Sequence, residues 1–228
     1  MTVTEMHLQF KLGYDKLDSE NYPDILPEEI DYLLNKAQDR FVKQRYGKNN
    51  IKRESFEEIQ KRTDDLKALV KTAILTPLPS NSENIDPNAQ FVELPIDYWF
   101  TVQERCNIGH PTCHNNSIIE TVEVRVIDHD NFNKIMSNPF EKPNNSKILR
   151  MMAYNQTELI HAPRVTIFDY YLRYIKKPVR ISISTPTDCE LSDHTHEEIV
   201  NEAVSIALET LETLRVKTFD PIIKNQEE

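Results

Sequence analysis

An α+β fold, in which an N-terminal helical bundle is joined by a C-terminal long helix and flanks a central antiparallel β module, is predicted by three observations. Residues 5–65 read as amphipathic helices separated by short breaks, residues 91–183 switch to short β-type runs, and residues 194–214 return to a helical period. The expected boundaries are a bundle built from 1–75 and 190–214, a β-rich module over 76–189, and a tail or docking arm at 215–228.

The first helix has its start signal at Thr2, with Glu5 three residues on, a spacing at which hydroxyl and carboxylate satisfy each other's backbone donors; Met6, Phe10 and Leu17 then share a face. The second opens at Pro27, whose missing N–H suits the first helical position, and Glu28, Glu29 and Asp31 favour the positive end of the dipole. Ile30, Leu33, Leu34, Ala37 and Phe41 form its apolar stripe, and Gly47 is expected to end it in a left-handed cap. The third is expected to start at Ser55 with Glu58 and to bury Phe56, Ile59, Leu66, Leu69 and Val70.

After Leu75 the stretch TPLPSNSENIDPNAQ reads as a domain-crossing loop. The β-type runs that follow are FVELP, DYWFTVQERC, SIIETVEVRVIDH, KILRMMAY, ELIHAP, RVTIFDYYLRYI and VRISIS. Val122, Val124 and Val126 alternate with Glu123 and Arg125, as in a strand with one buried face. Within this module, 128–137 suits a short helix capped by Asp130, and NPFEKP a Pro-bounded corner. The last helix takes Ser192 or Asp193 as cap and should pack on the N-terminal helices through Val200, Ala203, Val204, Ala207, Leu211 and Leu214. The tail carries Phe219, Ile222 and Ile223 without periodicity, which suits a frayed end or an arm ordered on a neighbour.

Composition narrows the function classes. A formal charge of −10 argues against a surface that holds nucleic acid by neutralising phosphates, and against a basic membrane patch. No apolar run reaches the roughly 20 residues of a membrane span, and the N-terminus lacks a signal-peptide pattern, so synthesis and use in a cytoplasm are expected. Cys106, Cys113 and Cys189 are odd in number and too few for a disulfide framework. With 3 Gly against 13 Pro, the chain has no phosphate-cradling loop.

Four groups could carry chemistry. Cys106, His110, Cys113 and His114 offer four soft ligands in what reads as a loop, but their spacing does not reproduce the two separated knuckles of a zinc site. Cys189 with His194 and His196 could supply a nucleophile and base, although no oxyanion-hole motif accompanies them. Asp128, His129 and Asp130 could bind metal or move protons, against the plainer role of a cap. Lys43, Arg45, Lys48, Lys52 and Arg53 with Tyr46 could contact RNA, against dipole compensation at a helix end. No catalytic, cofactor-binding or metal residue is assigned from these groups.

Several stretches carry a resemblance: PEEIDYLLNKAQDRFVKQRYG at 27–47, FEEIQKRTDDLKALV at 56–70, HDNFNKIMSNPFEKP at 129–143, and KKPVRISI with CELSDHTHEEIVNEAV between 176 and 204. Together and in this order they resemble the portal-proximal ring or adaptor proteins, head-to-tail connectors of crAss-like short-tailed bacteriophages. The resemblance implies a non-enzymatic virion protein at the head-to-tail junction, assembled as a homo-oligomeric ring of twelve copies. Its implied partners are the portal protein and the tail ring proteins, with DNA passing through without specific binding and no membrane contact. HPTCH at 110–114 is not a family feature and suits a variable loop. A ring built head to tail needs two complementary surfaces per subunit, for which Tyr32, Tyr46, Trp99, Tyr170, Tyr171 and Tyr174 are candidate anchors. The competing expectations are a small metal-dependent enzyme using the Cys/His loop, and a scaffold or cargo protein of the phage head.

Overall fold

The computed structural model describes residues 1–14, 25–47, 59–78, 85–111, 117–153 and 155–210. The fold is α+β and divides into two compact units: Met1–Leu69 with Pro178–Glu228, and Val70–Lys177. The tail at 215–228, Leu17, Ser55, Phe56, Glu58, Leu211 and Leu214 lie outside the described residues.

The first unit is helical. Helix α1 (Val3–Tyr14) starts with the expected reciprocal cap, Thr2 N donating to Glu5 Oε2 at 2.8 Å and Glu5 N to Thr2 Oγ1 at 3.3 Å. It buries Val3, Met6, His7, Phe10 and Tyr14. Helix α2 (Pro27–Tyr46) buries Ile30, Leu34, Ala37 and Phe41, with Leu33 only half-buried. Ile30, Leu34 and Phe41 each contribute roughly 1.5–3 kcal/mol by leaving water. The end of α2 departs from expectation: Gly47 sits at φ −74°, ψ 151°, extended rather than left-handed, and its N–H closes the last turn on Lys43 O at 2.9 Å. Helix α3 (Gln60–Leu66) continues into a 3₁₀ turn, Lys67–Leu69, and buries Leu66 and Leu69. Val70 is no part of it; the helical run was expected to include that residue, which begins a strand instead.

Helix α5 (His196–Thr210) packs against α1 and α2 through Val200, Ala203, Val204 and Ala207. Ser192 stands at the cap, but its hydroxyl donates to Asp64 O at 3.2 Å and so ties the start of α5 to α3. The run VRISIS, expected as a strand, forms only a single backbone bridge, Ser182 to Thr187, before a turn, and side chains of α2 hold its backbone at Val179, Ile181 and Ile183. Asn35 Nδ2 donates to Ile181 O and Ile181 N to Asn35 Oδ1, both at 2.8 Å. Ile183 N donates to the Asp31 carboxylate at 3.0 Å, and Gln38 Nε2 to Val179 O at 3.4 Å. Buried backbone polar groups need partners, and here a helix face supplies what a sheet would.

The second unit is a seven-stranded sheet in the order β1-β7-β3-β4-β5-β6-β2. Its strands are β1 (Val70–Leu75), β2 (Ala89–Glu93), β3 (Tyr98–Pro111), β4 (Ser117–Val126), β5 (Ile148–Ala153), β6 (Gln156–Ile160) and β7 (Thr166–Lys176). The module is mixed, not purely antiparallel: β4 and β5 run parallel, Val124 to Val126 opposite Ile148 to Arg150. A parallel pair requires a long crossover, and the 127–147 segment with helix α4 (Phe132–Ser137) provides it. One sheet face buries Cys106, Ile108, Val122, Ile148, Leu159, Tyr170 and Leu172. Ile135 of α4 covers the other face at Leu149, Met151 and Ile160. The valines of β4 are graded, Val122 buried, Val124 half-buried and Val126 exposed.

Candidate functional site

The structure separates most residues that the sequence had grouped. Cys106 lies in β3 opposite Val122, and β3 runs on through Pro111, so the expected loop from Cys106 to His110 is strand. Cys106 and His110 lie four residues apart along this strand, a backbone separation of about 13 Å. The Cys106 thiol is fully buried, and burial first, then the Glu104 charge, pushes its pKa above the usual thiol range. Cys113 and His114 lie outside the described residues. Among those described, no three His, Cys, Asp or Glu side chains converge as a metal site.

Cys189 is likewise buried, its pKa raised to about 11 mainly by desolvation, so at neutral pH it is a thiol and not a nucleophilic thiolate. The two histidines beside it have other partners. His196 Nε2 pairs with Leu191 O at 2.9 Å, and His194 Nε2 with Asp65 Oδ1 at 2.8 Å. Asp130 is exposed and caps nothing; the 3₁₀ turn before α4 starts at Asp128, whose carboxylate accepts from Asn131 Nδ2 at 3.4 Å. His129 Nε2 faces Met152 O at 2.9 Å.

The basic group near the end of α2 splits too. Lys48, Lys52 and Arg53 lie outside the described residues, and Arg45 is buried, its guanidinium 4.7 Å from the Phe41 ring centroid. Its Nε stands 2.9 Å from Asp65 Oδ2, and its Nη2 pairs with Glu198. Lys61 Nζ approaches Glu198 Oε1 at 3.6 Å. This cluster, with His194 on Asp65, joins α2, α3 and α5 through opposite charges around one buried guanidinium. Buried charges persist only when paired in this way, and the arrangement leaves no cation at Arg45 for a nucleic acid. A second buried pair lies in the sheet, where Arg150 donates to Glu104 from Nε at 3.0 Å and from Nη2 at 2.5 Å. Tyr170 packs beside it, its hydroxyl pKa raised first by burial and then by Glu104.

The candidate anchors for a binding surface divide by burial. Of the candidate aromatic anchors, Tyr170 and Tyr174 are core, Tyr46, Trp99 and Tyr171 are half-buried, and Tyr32 is 68% exposed. Sequence reading missed Leu8 and Leu12, which are 59% and 62% exposed on the face of α1 turned away from Met6 and Phe10. Their i, i+4 spacing was the available signal. The same reading took Asp31 only as a helix-dipole residue and missed Asn35 and Gln38, which join it in a polar stripe at helical spacing beside the apolar one on α2.

Comparison with known proteins decides the family, because residues 1–218 match the model of the phage tail ring protein 3/4 family. The chain belongs to the phage tail ring protein 3/4 family. Its similarity to "Ring protein 4/5" of Bacteroides phage crAss001 is 26% identity over 236 residues, covering 91% of this chain and 92% of the relative. Similarity to "Ring protein 3" of the same phage is 26% over 192 residues, covering 77% and 81%. Among the described residues of this family member, no helix is long and apolar enough to cross a membrane.

Proposed function

We propose that this protein is a non-enzymatic structural subunit of the virion, assembled as a closed ring of about twelve copies at the head-to-tail junction. The portal protein and tail ring proteins are its neighbours in this reading, and DNA passes through the ring's centre without being specifically bound. The observation that carries the reading is the family match along nearly the whole chain, 1–218, to proteins named for rings. The net charge of −10 supports a wall past which DNA slides, because a surface of that sign does not release counterions by holding phosphates. The buried thiols of Cys106 and Cys189, and the ion-paired Arg45, support a structural role for residues that otherwise invite a chemical one.

The test is the mass of the purified protein in solution, alone and with its neighbouring virion proteins, followed by imaging of the particles formed. A closed ring of fixed copy number that docks on the portal assembly is the expected result. A chain that stays monomeric with every neighbour, or that is absent from purified tails, would overturn the reading.

A further inference from the structure

The helical unit carries an open groove and an exposed ridge. The groove runs between α1 and α5 and is lined by Leu8, Lys11, Leu12, Gly13, Glu197 and Val200. Its lip is apolar and open, since Leu8 and Leu12 stand more than half exposed. The ridge is the outer face of α2, where Glu28, Tyr32 and Lys36 recur every four residues on the side away from Ile30, Leu34 and Phe41. Helices α1, α2 and α5 pack against one another in all three pairs, and in such a trio the groove between two helices lies opposite the third. Groove and ridge therefore occupy opposite ends of the unit.

Their charges are complementary as well. The groove holds Lys11 toward the end of α1 and Glu197 in the first turn of α5, while the ridge has Glu28 before Tyr32 and Lys36 after it. Among the described residues, none of Lys11, Lys36, Glu28 and Glu197 is engaged in an ion pair. Seating Tyr32 over Leu8 and Leu12 would bring Glu28 toward Lys11 and Lys36 toward Glu197. An exposed tyrosine anchored in an apolar groove with a charged rim is the usual anatomy of a protein interface.

We infer that the α1/α5 groove binds the α2 ridge of a second copy of this chain, with Tyr32 as the anchor. Opposite placement makes the contact head to tail, and a small rotation at each step, about 30° for twelve copies, closes it into a ring. The inference rests on the proposed ring and names the surface that builds it.

The experiment uses the full chain in a Cys113→Ser background, leaving Cys106 and Cys189 buried, assembled with the neighbouring virion proteins and mildly oxidised. An equal mixture of Leu12→Cys and Tyr32→Cys proteins should give a covalent dimer that neither gives alone. The double variant should give a ladder of multimers ending at the ring's copy number. Leu12→Arg, at an exposed position that leaves folding intact by circular dichroism, should lose assembly. Rings of normal mass without the mixed dimer, and unchanged by Leu12→Arg, would overturn this interface while leaving the ring standing. A wild-type chain that forms no closed oligomer with any neighbour would overturn both.

Discussion

Replacing Arg45 by Met tests whether the buried charge cluster holds the helical unit together. The guanidinium is 4% exposed and faces Asp65, which has no exposure, and Glu198 at 17%. Removing it strands a buried carboxylate, for which about 3–5 kcal/mol is the general range when one partner of a buried pair is lost. Two features pull the value toward the lower end. His194 pairs with Asp65 from a half-exposed position, and Lys61 stands 3.6 Å from Glu198, so Asp65 keeps a hydrogen-bond partner and Glu198 a nearby counter-charge. Loss of the stacking on Phe41 adds roughly 0.5–1 kcal/mol, offset by the packing that the Met side chain makes along the same path. The net expectation is a loss of about 3 kcal/mol. With a urea slope of about 2 kcal/mol per molar, the midpoint should fall by about 1.5 M. Ellipticity at 222 nm follows the transition. Adding Asp65→Leu removes the stranded carboxylate and should recover about half of the loss, since a matched apolar replacement of a buried pair is often neutral. A midpoint shift below about 0.5 M for Arg45→Met, or a double variant weaker than the single, would refute the reasoning.

Three further outcomes follow from other contacts. Asn35→Leu removes both 2.8 Å hydrogen bonds to Ile181, about 2 kcal/mol together, and should strip protection from the Ile181 amide in hydrogen exchange; unchanged protection would show that α2 does not hold this segment. Lys71, by its hydrogen bond first and its charge, holds the Asp97 carboxyl below its ordinary 3.8, with Tyr174 also donating to it at 2.8 Å. The stability from this clamp is present above pH 3.8 and is lost as pH falls through the lower folded value, so wild type should lose its advantage over Asp97→Asn in acid urea titrations. A gap that stays constant through this range would count against the clamp. Arg164 holds φ 70° in the turn closed by Val165 N on Ala162 O at 3.2 Å, behind Pro163, a position that favours glycine. Arg164→Gly should raise stability by up to about 1 kcal/mol, and a clear loss would mean that the arginine side chain contributes.

The helices were legible because their signals are local. Thr2 with Glu5 and Pro27 with Glu29 mark starts, and the apolar stripes follow within a few turns. Strand β1 was not legible, because KALVKTAIL has no breaker and its apolar residues suit a helix as well as an edge strand. Pairing with β7, about a hundred residues away, decides its state. The VRISIS run alternates like a strand, yet its one backbone bridge is the local pair Ser182–Thr187, and side chains of α2 hold Val179, Ile181 and Ile183. The parallel β4–β5 pair was equally hidden, since the side-chain period is two in either orientation. In the candidate site, an exposed Tyr32 and a buried Tyr170 read alike in sequence; only the tertiary fold assigns one to the surface and the other to the core.

Helix α2 is also where fold and assembly meet. One face is apolar and packs in the helical unit, a second clasps the extended 179–183 segment through Asp31, Asn35 and Gln38, and the third presents Tyr32 and Lys36 to solvent. Three faces on a period of 3.6 leave little room for drift in the helix's rotation, because turning it to expose one set would break contacts made by the other two. A repeating assembly needs this constraint. In the proposed ring any angular error at one interface would recur at every copy, so the ridge proposed to meet the next subunit sits on the element held from two sides. The buried Arg45 near the end of the same helix, paired with α3 and α5, fixes the remaining freedom along its axis.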